Sequence, residues 1–170
     1  IQVARQEVRG RRGRQVGQGR DVDPVVTVVR GKVGDGGRPL HIHDIVAGAD
    51  GYNGVGQNSG RAYVYFGGTA PDNAPDLVFE GEAALNGFGY SVGSGDVNGD
   101  GYGDVIVGTI RAERVYVFFG GSVADTNADR VFTGLESSES FGTAVSSAGD
   151  VNGDGCDDVI VGARNSNAAG

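Results

Sequence analysis

A chain of 170 residues is long enough for one domain with a real core. Its 33 glycines, four prolines and lack of Met and Trp point to many turns between short strands and away from long helices. The formal charge of -8 is unevenly spread: residues 1–38 hold nine basic and four acidic residues, and the remainder holds five basic and eighteen acidic ones. Such an acidic body repels nucleic acid phosphates and favours cations. No apolar run approaches the roughly 18 residues of a membrane span, and a single cysteine excludes an internal disulfide.

The chain starts at Ile1 with neither a Met nor a signal-peptide pattern, and is expected to be a fragment or a processed product. Residues 1–38 carry no convincing period. Arg9-Gly10-Arg11-Arg12-Gly13-Arg14 has the composition of a solvated, disordered arm. An RNA- or membrane-binding tail, or a stretch that is not native in-frame sequence, are the competing readings. His41 and His43 alternate on one strand face, but no cysteine or carboxylate set surrounds them, so a zinc site is not expected.

From Asp44 onward the pattern is regular. Asp44-Ile45-Val46-Ala47-Gly48-Ala49 aligns with Asp104–Thr109 at an offset of 60. Arg61-Ala62-Tyr63-Val64-Tyr65-Phe66-Gly67-Gly68 matches Arg114-Val115-Tyr116-Val117-Phe118-Phe119-Gly120-Gly121 at 53. Leu77–Gly81 matches Arg130–Gly134, and Phe88-Gly89 matches Phe141-Gly142, at the same 53. A period of this size with four short strands per unit is the signature of propeller blades. Within the complete unit the strands are expected at about Ser91–Gly95, Asp104–Thr109, Arg114–Phe119 and Arg130–Thr133. The second of these is apolar on consecutive residues, as a strand packed on both faces should be. Tyr116 and Phe118 alternate with valines and read as packing between blades.

Between the first two strands of the unit lies Asp96-Val97-Asn98-Gly99-Asp100-Gly101-Tyr102-Gly103-Asp104. It returns 54 residues later as Asp150-Val151-Asn152-Gly153-Asp154-Gly155-Cys156-Asp157-Asp158, one extra residue having entered at Ser146-Ser147-Ala148-Gly149. Side-chain oxygens at positions 1, 3, 5 and 9 can wrap one hard cation if the chain turns sharply after position 5, where Gly101 and Gly155 stand. The main-chain carbonyls of Tyr102 and Cys156, at position 7, complete roughly six oxygens, which suits Ca²⁺ better than Mg²⁺. The metal ligands expected are therefore Asp96, Asn98, Asp100, Tyr102 and Asp104 at one site, and Asp150, Asn152, Asp154, Cys156 and Asp158 at a second. An EF-hand would need a bidentate Glu at position 12, inside a helix. Val107 and Val161 stand there instead, within strand-like runs, so each loop joins two strands. Val33-Gly34-Asp35-Gly36-Gly37-Arg38-Pro39 looks like a damaged version of the same loop, leaving the first repeat without a metal site.

Phe88-Gly89 with Ser91-Val92, the loop Asp96–Asp104, Val105-Ile106-Val107-Gly108 and the strand Val115-Tyr116-Val117-Phe118 resemble the FG-GAP repeat of integrin α-subunit propellers. Phe141-Gly142-Thr143-Ala144-Val145 with Asp150–Gly162 resembles the start of a further copy. Gly48-Ala49 and Gly162-Ala163 resemble the family's Gly-Ala-Pro element without its proline. The resemblance covers about Asp44 to Ala163. It implies an all-β fold of β-propeller blades, each of four antiparallel strands, with Ca²⁺ in the hairpin loops, on an extracellular or cell-surface protein.

The expected organisation is a basic arm over 1–38 and a propeller fragment over 39–170. That fragment comprises a partial blade at about 44–81, a complete blade at about 88–134 and a partial blade over 141–170. Closed propellers usually have four to eight blades, so the exposed faces call for self-association or for neighbouring blades in a larger protein. The expected function is a calcium-binding module for adhesion, or for contact with an extracellular protein or carbohydrate ligand. A non-catalytic accessory propeller of a secreted hydrolase or phospholipase, and a purely structural repeat, are the alternatives. No nucleophile elbow occurs, so catalysis is not expected.

Overall fold

The computed structural model describes residues 25–28, 44–67, 74–135 and 140–164; for 25–28 it describes the main chain. Ten strands form among the described residues: β1 (Val25–Val28), β2 (Ile45–Ala49), β3 (Arg61–Tyr65), β4 (Leu77–Glu80), β5 (Phe88–Gly95), β6 (Asp104–Thr109), β7 (Arg114–Phe118), β8 (Arg130–Thr133), β9 (Phe141–Gly149) and β10 (Asp158–Ala163). They make three antiparallel sheets, β1-β2-β3-β4, β5-β6-β7-β8 and β9-β10, each a simple meander. The fold is all-β and consists of propeller blades that do not close into a ring.

The first sheet departs from the sequence reading. A partial blade is expected from Asp44, yet Val25–Val28 pairs antiparallel with Ile45–Gly48 and supplies a fourth strand. The stretch expected to be a disordered arm thus contains a strand. A β-branched Val-Val-Thr-Val run favours extended backbone, but its partner lies far along the chain, where no local period reveals it. The rest of residues 1–38, the damaged loop at 33–39 and both histidines lie outside the described residues.

In the second sheet β6 and β8 have the expected bounds. β5 begins three residues earlier, at Phe88, because a register shift between Phe88 and Ser91 lets the ladder step across two residues. The same step separates Phe141 from Ala144 in β9. β7 ends at Phe118 because the Phe119 N–H turns away to the Asp129 carboxylate at 2.7 Å, just as the Phe66 N–H turns to Asp76 at 2.6 Å. The residue inserted into the third sheet also has a place: Asp158 faces Gly149 while Val159 faces Ser147, which leaves Ala148 as a bulge.

The core lies between blades. Alternation along β6 sends Val105 and Val107 toward the first sheet, where they join Val46, Val64 and Phe79, and sends Ile106 toward Val145, Val159 and Val161 of the third. Strand β7 divides in the same way, with Tyr116 and Phe118 on one side and Val115 and Val117 on the other. Phe118 meets Phe79 across the blade junction with ring centroids 4.2 Å apart. Both faces of β6 and of most of β7 are thus buried, which is why these inner strands need no polar alternation. Between the second and third sheets, the Ser91 hydroxyl donates to the Gly142 carbonyl at 2.7 Å.

Candidate metal centre

The two acidic loops occupy the turns between β5 and β6 and between β9 and β10. Each is shaped by its own side chains acting on its own backbone. In the first, the Asp96 carboxylate accepts the N–H groups of Asp100 (3.0 Å) and Gly101 (2.8 Å). Asn98 Oδ1 also accepts from Asp100 N–H, and Asp100 Oδ1 accepts from Tyr102 N–H at 2.8 Å. Asp104 closes the loop, its carboxylate accepting from Val97 N–H at 2.7 Å and Gly120 N–H at 2.8 Å.

The second loop repeats this network with Asp150 accepting from Gly153, Asp154 and Gly155, Asn152 from Asp154, and Asp154 from Cys156. Asp158 accepts from Val151 N–H at 2.8 Å, as Asp104 does from Val97. Gly101 and Gly155 both turn through positive φ, +84° and +89°, with nothing near the site of a Cβ. The glycines serve backbone direction there, not close packing.

All ten sequence-derived ligand residues fall in these loops or on the first residue of the following strand. Among the described residues, no three His, Cys, Asp or Glu side chains form a ready-made cage. Instead the carboxylates lie on backbone donors, which relieves their mutual repulsion. The donor set is nonetheless that of a hard cation, since carboxylate, amide and main-chain oxygens are offered in the same order twice. Desolvation, reinforced by Asp154 and Asp96, pushes the Cys156 thiol up.

The environments of the two loops differ. Asp104 is fully buried, and desolvation raises its pKa to about 6 despite the two N–H donors. The Asp150 carboxyl is held below its usual range by the N–H of Gly155, helped by Gly153 and Asp154. Asp44, which precedes β2 as Asp104 opens β6, is likewise buried and accepts from Gly67 N–H at 2.8 Å, as Asp104 does from Gly120. Spacing alone does not reveal Asp157, whose carboxylate reaches out of its own loop to Asp96 N–H at 3.0 Å.

Two four-stranded meander sheets, followed by a hairpin that repeats the acidic loop of the second, are the arrangement of propeller blades. Residues 88–118 and 141–170 match the FG-GAP repeat family. Integrin alpha-5 of Xenopus laevis is 33% identical over 97 residues, which is 50% of this chain and 9% of that protein. Integrin alpha-7 of Mus musculus is 39% identical over 99 residues, 52% of this chain and 8% of the relative. Integrin alpha-PS5 of Drosophila melanogaster is 33% identical over 119 residues, 62% and 11% respectively. The chain thus spans about a tenth of the length of these relatives.

Proposed function

We propose that the chain is a calcium-binding FG-GAP propeller module of an extracellular or surface protein, serving adhesion to a protein or carbohydrate ligand. The observation that carries the reading is the duplicated hydrogen-bond network of the two hairpin loops, with oxygen donors in the same order. Asp96, Asn98, Asp100, Asp104 and the Tyr102 carbonyl would hold one ion. Asp150, Asn152, Asp154, Asp158 and the Cys156 carbonyl would hold the other. Bound calcium supplies the positive charge that lets three carboxylates share one turn.

The chain's own residues then act structurally. They fix the hairpin that sets the edge of each blade, and the stiffened blade presents its loops to a partner without performing catalysis. Strand pairing at Val25–Val28 supports extending the propeller portion back to at least Val25. The half-exposed Val131, Phe132 and Ile160 support neighbouring blades or a second copy on the outer faces.

A thermal melt in calcium, in magnesium and in excess chelator tests the reading. Calcium should raise the midpoint selectively, and Asp100→Ala combined with Asp154→Ala should abolish the rise. A folded protein with no calcium-dependent shift would overturn it. Binding to arrays of matrix proteins and glycans then separates adhesion from a purely structural role.

A further inference from the structure

The two loops are tied to each other by a residue outside both ligand sets. Asp157, at position 8 of the second loop, grips both main-chain polar groups of Asp96, the first ligand residue of the first loop. Its N–H donates to the Asp96 carbonyl at 2.7 Å, and its Oδ2 accepts the Asp96 N–H at 3.0 Å. The same Oδ2 is held by the Ser147 hydroxyl at 3.0 Å, and Ser147 Oγ accepts Gly149 N–H at 3.0 Å. The first loop carries Gly103 at position 8, so the clasp is not part of the repeated network.

Close approach is built in around it. A Cβ on Gly95 would lie 2.7 Å from Asp157 Oδ2, and one on Gly99 would lie 3.0 Å from the Gly155 carbonyl oxygen and 3.1 Å from Cys156 Sγ. The inserted residue contributes as well, since the bulge at Ala148 separates Ser147 from Gly149 in the register.

We infer that Asp157 couples the two calcium loops, so that filling the second tightens the first. This rests on the calcium reading above. Asp157 lies between Cys156 and Asp158, two ligand residues of the second loop, and an ion there fixes their backbone. A fixed Asp157 holds the Asp96 backbone in place, so the first loop loses less freedom on binding. By reciprocity the first ion must tighten the second by the same factor. Repulsion between the two ions acts the other way, but the surrounding carboxylates and salt screen it at a Debye length of about 8 Å.

Calcium titration of the full chain, followed by the amide resonances of Gly101 and Gly155, reads the two loops separately. With the second loop disabled by Asp154→Ala, the first should bind about five- to tenfold more weakly than in wild type. Asp157→Ala removes the carboxylate bond and keeps the main-chain one, so with it already present, adding Asp154→Ala should weaken the first loop by clearly less than it does in wild type. Asp157→Asn keeps an oxygen for the Asp96 N–H and should retain the coupling.

Equal first-loop affinity in wild type and Asp154→Ala would overturn the coupling while leaving the calcium reading intact. That comparison needs no change at residue 157, so it decides the matter even if Asp157→Ala does not fold. No calcium-dependent shift of either resonance in folded wild type would overturn the calcium reading and the coupling with it.

Discussion

Gly48 and Gly89 touch across the first blade junction so closely that a Cβ on Gly48 would collide with the Gly89 carbonyl oxygen. Gly108 and Gly142 make the same contact across the next junction. These are the glycines of the two halves of the repeat motif. Each blade uses one to receive the bulge of its successor, and Gly89 and Gly142 turn through positive φ to form that bulge. Replacing Gly108 by Ala should cost about 3 kcal/mol or more, because the obstacle is backbone and cannot rotate away. Gly101→Ala meets no neighbour and should cost only the positive-φ penalty, about 1–2 kcal/mol. Urea unfolding in chelator ranks the two.

Aromatic packing predicts a second difference. Phe118 contacts Phe79 of the preceding sheet and lies 6.3 Å, centroid to centroid, from Phe88. Phe118→Ala should destabilise the chain by about 3–5 kcal/mol. Val131→Ser, at a half-exposed position on β8, should change stability by less than about 1 kcal/mol. Denaturant midpoints of the two variants check this directly.

Calcium should stabilise in proportion to mass action. For a dissociation constant of about 10⁻⁴–10⁻³ M, typical of extracellular modules, 10 mM calcium adds about 1.4–2.7 kcal/mol per occupied loop. Asp100→Ala and Asp154→Ala should each remove at least one such increment, and more than one to the extent that the loops are coupled; calorimetric melts at several calcium concentrations measure it.

Asp104 predicts a pH dependence in chelator. Its folded pKa of about 6 lies above the ordinary 3.8, so the folded state binds this proton more tightly than the unfolded state. The group's contribution is therefore greatest at low pH and is lost as pH rises from about 4 to about 6, by at most about 3 kcal/mol. The stability of wild type relative to Asp104→Asn should accordingly be greater at pH 4.5 than at pH 7. Asn keeps one acceptor for two N–H donors, so that variant should be weaker at both pH values. Calcium should flatten the slope by favouring the ionised carboxylate.

Legibility in the sequence followed the range of the interaction. Strands β6 and β7 were readable because their burial on both faces writes a run of apolar residues into contiguous positions. The loops were readable because every ligand candidate lies within nine residues. Strand β1 was not: Val25–Val28 is short, sits in a basic, glycine-rich setting and acquires meaning only from pairing with Ile45–Gly48. Asp157 was equally opaque. Beside Asp158 it reads as one more acid of the loop, and only the juxtaposition of blades puts its carboxylate on Asp96. The arrangement of Glu82, which accepts from the Tyr116 hydroxyl and the Arg114 guanidinium at 3.1 Å, also depends on that juxtaposition.

The close fit of Gly99 against Cys156 carries a consequence for how such a chain can be rearranged. Residue 99 and residue 156 share a volume, so a larger side chain at one must be matched by a smaller one at the other. The first loop has Tyr102 where the second has Cys156. A blade carrying tyrosine there, set after a copy of itself, would bring a phenol ring to the place now filled by a thiol. The two loops are thus similar in plan, and exchanging them should lower stability at the junction where Gly99 meets Cys156.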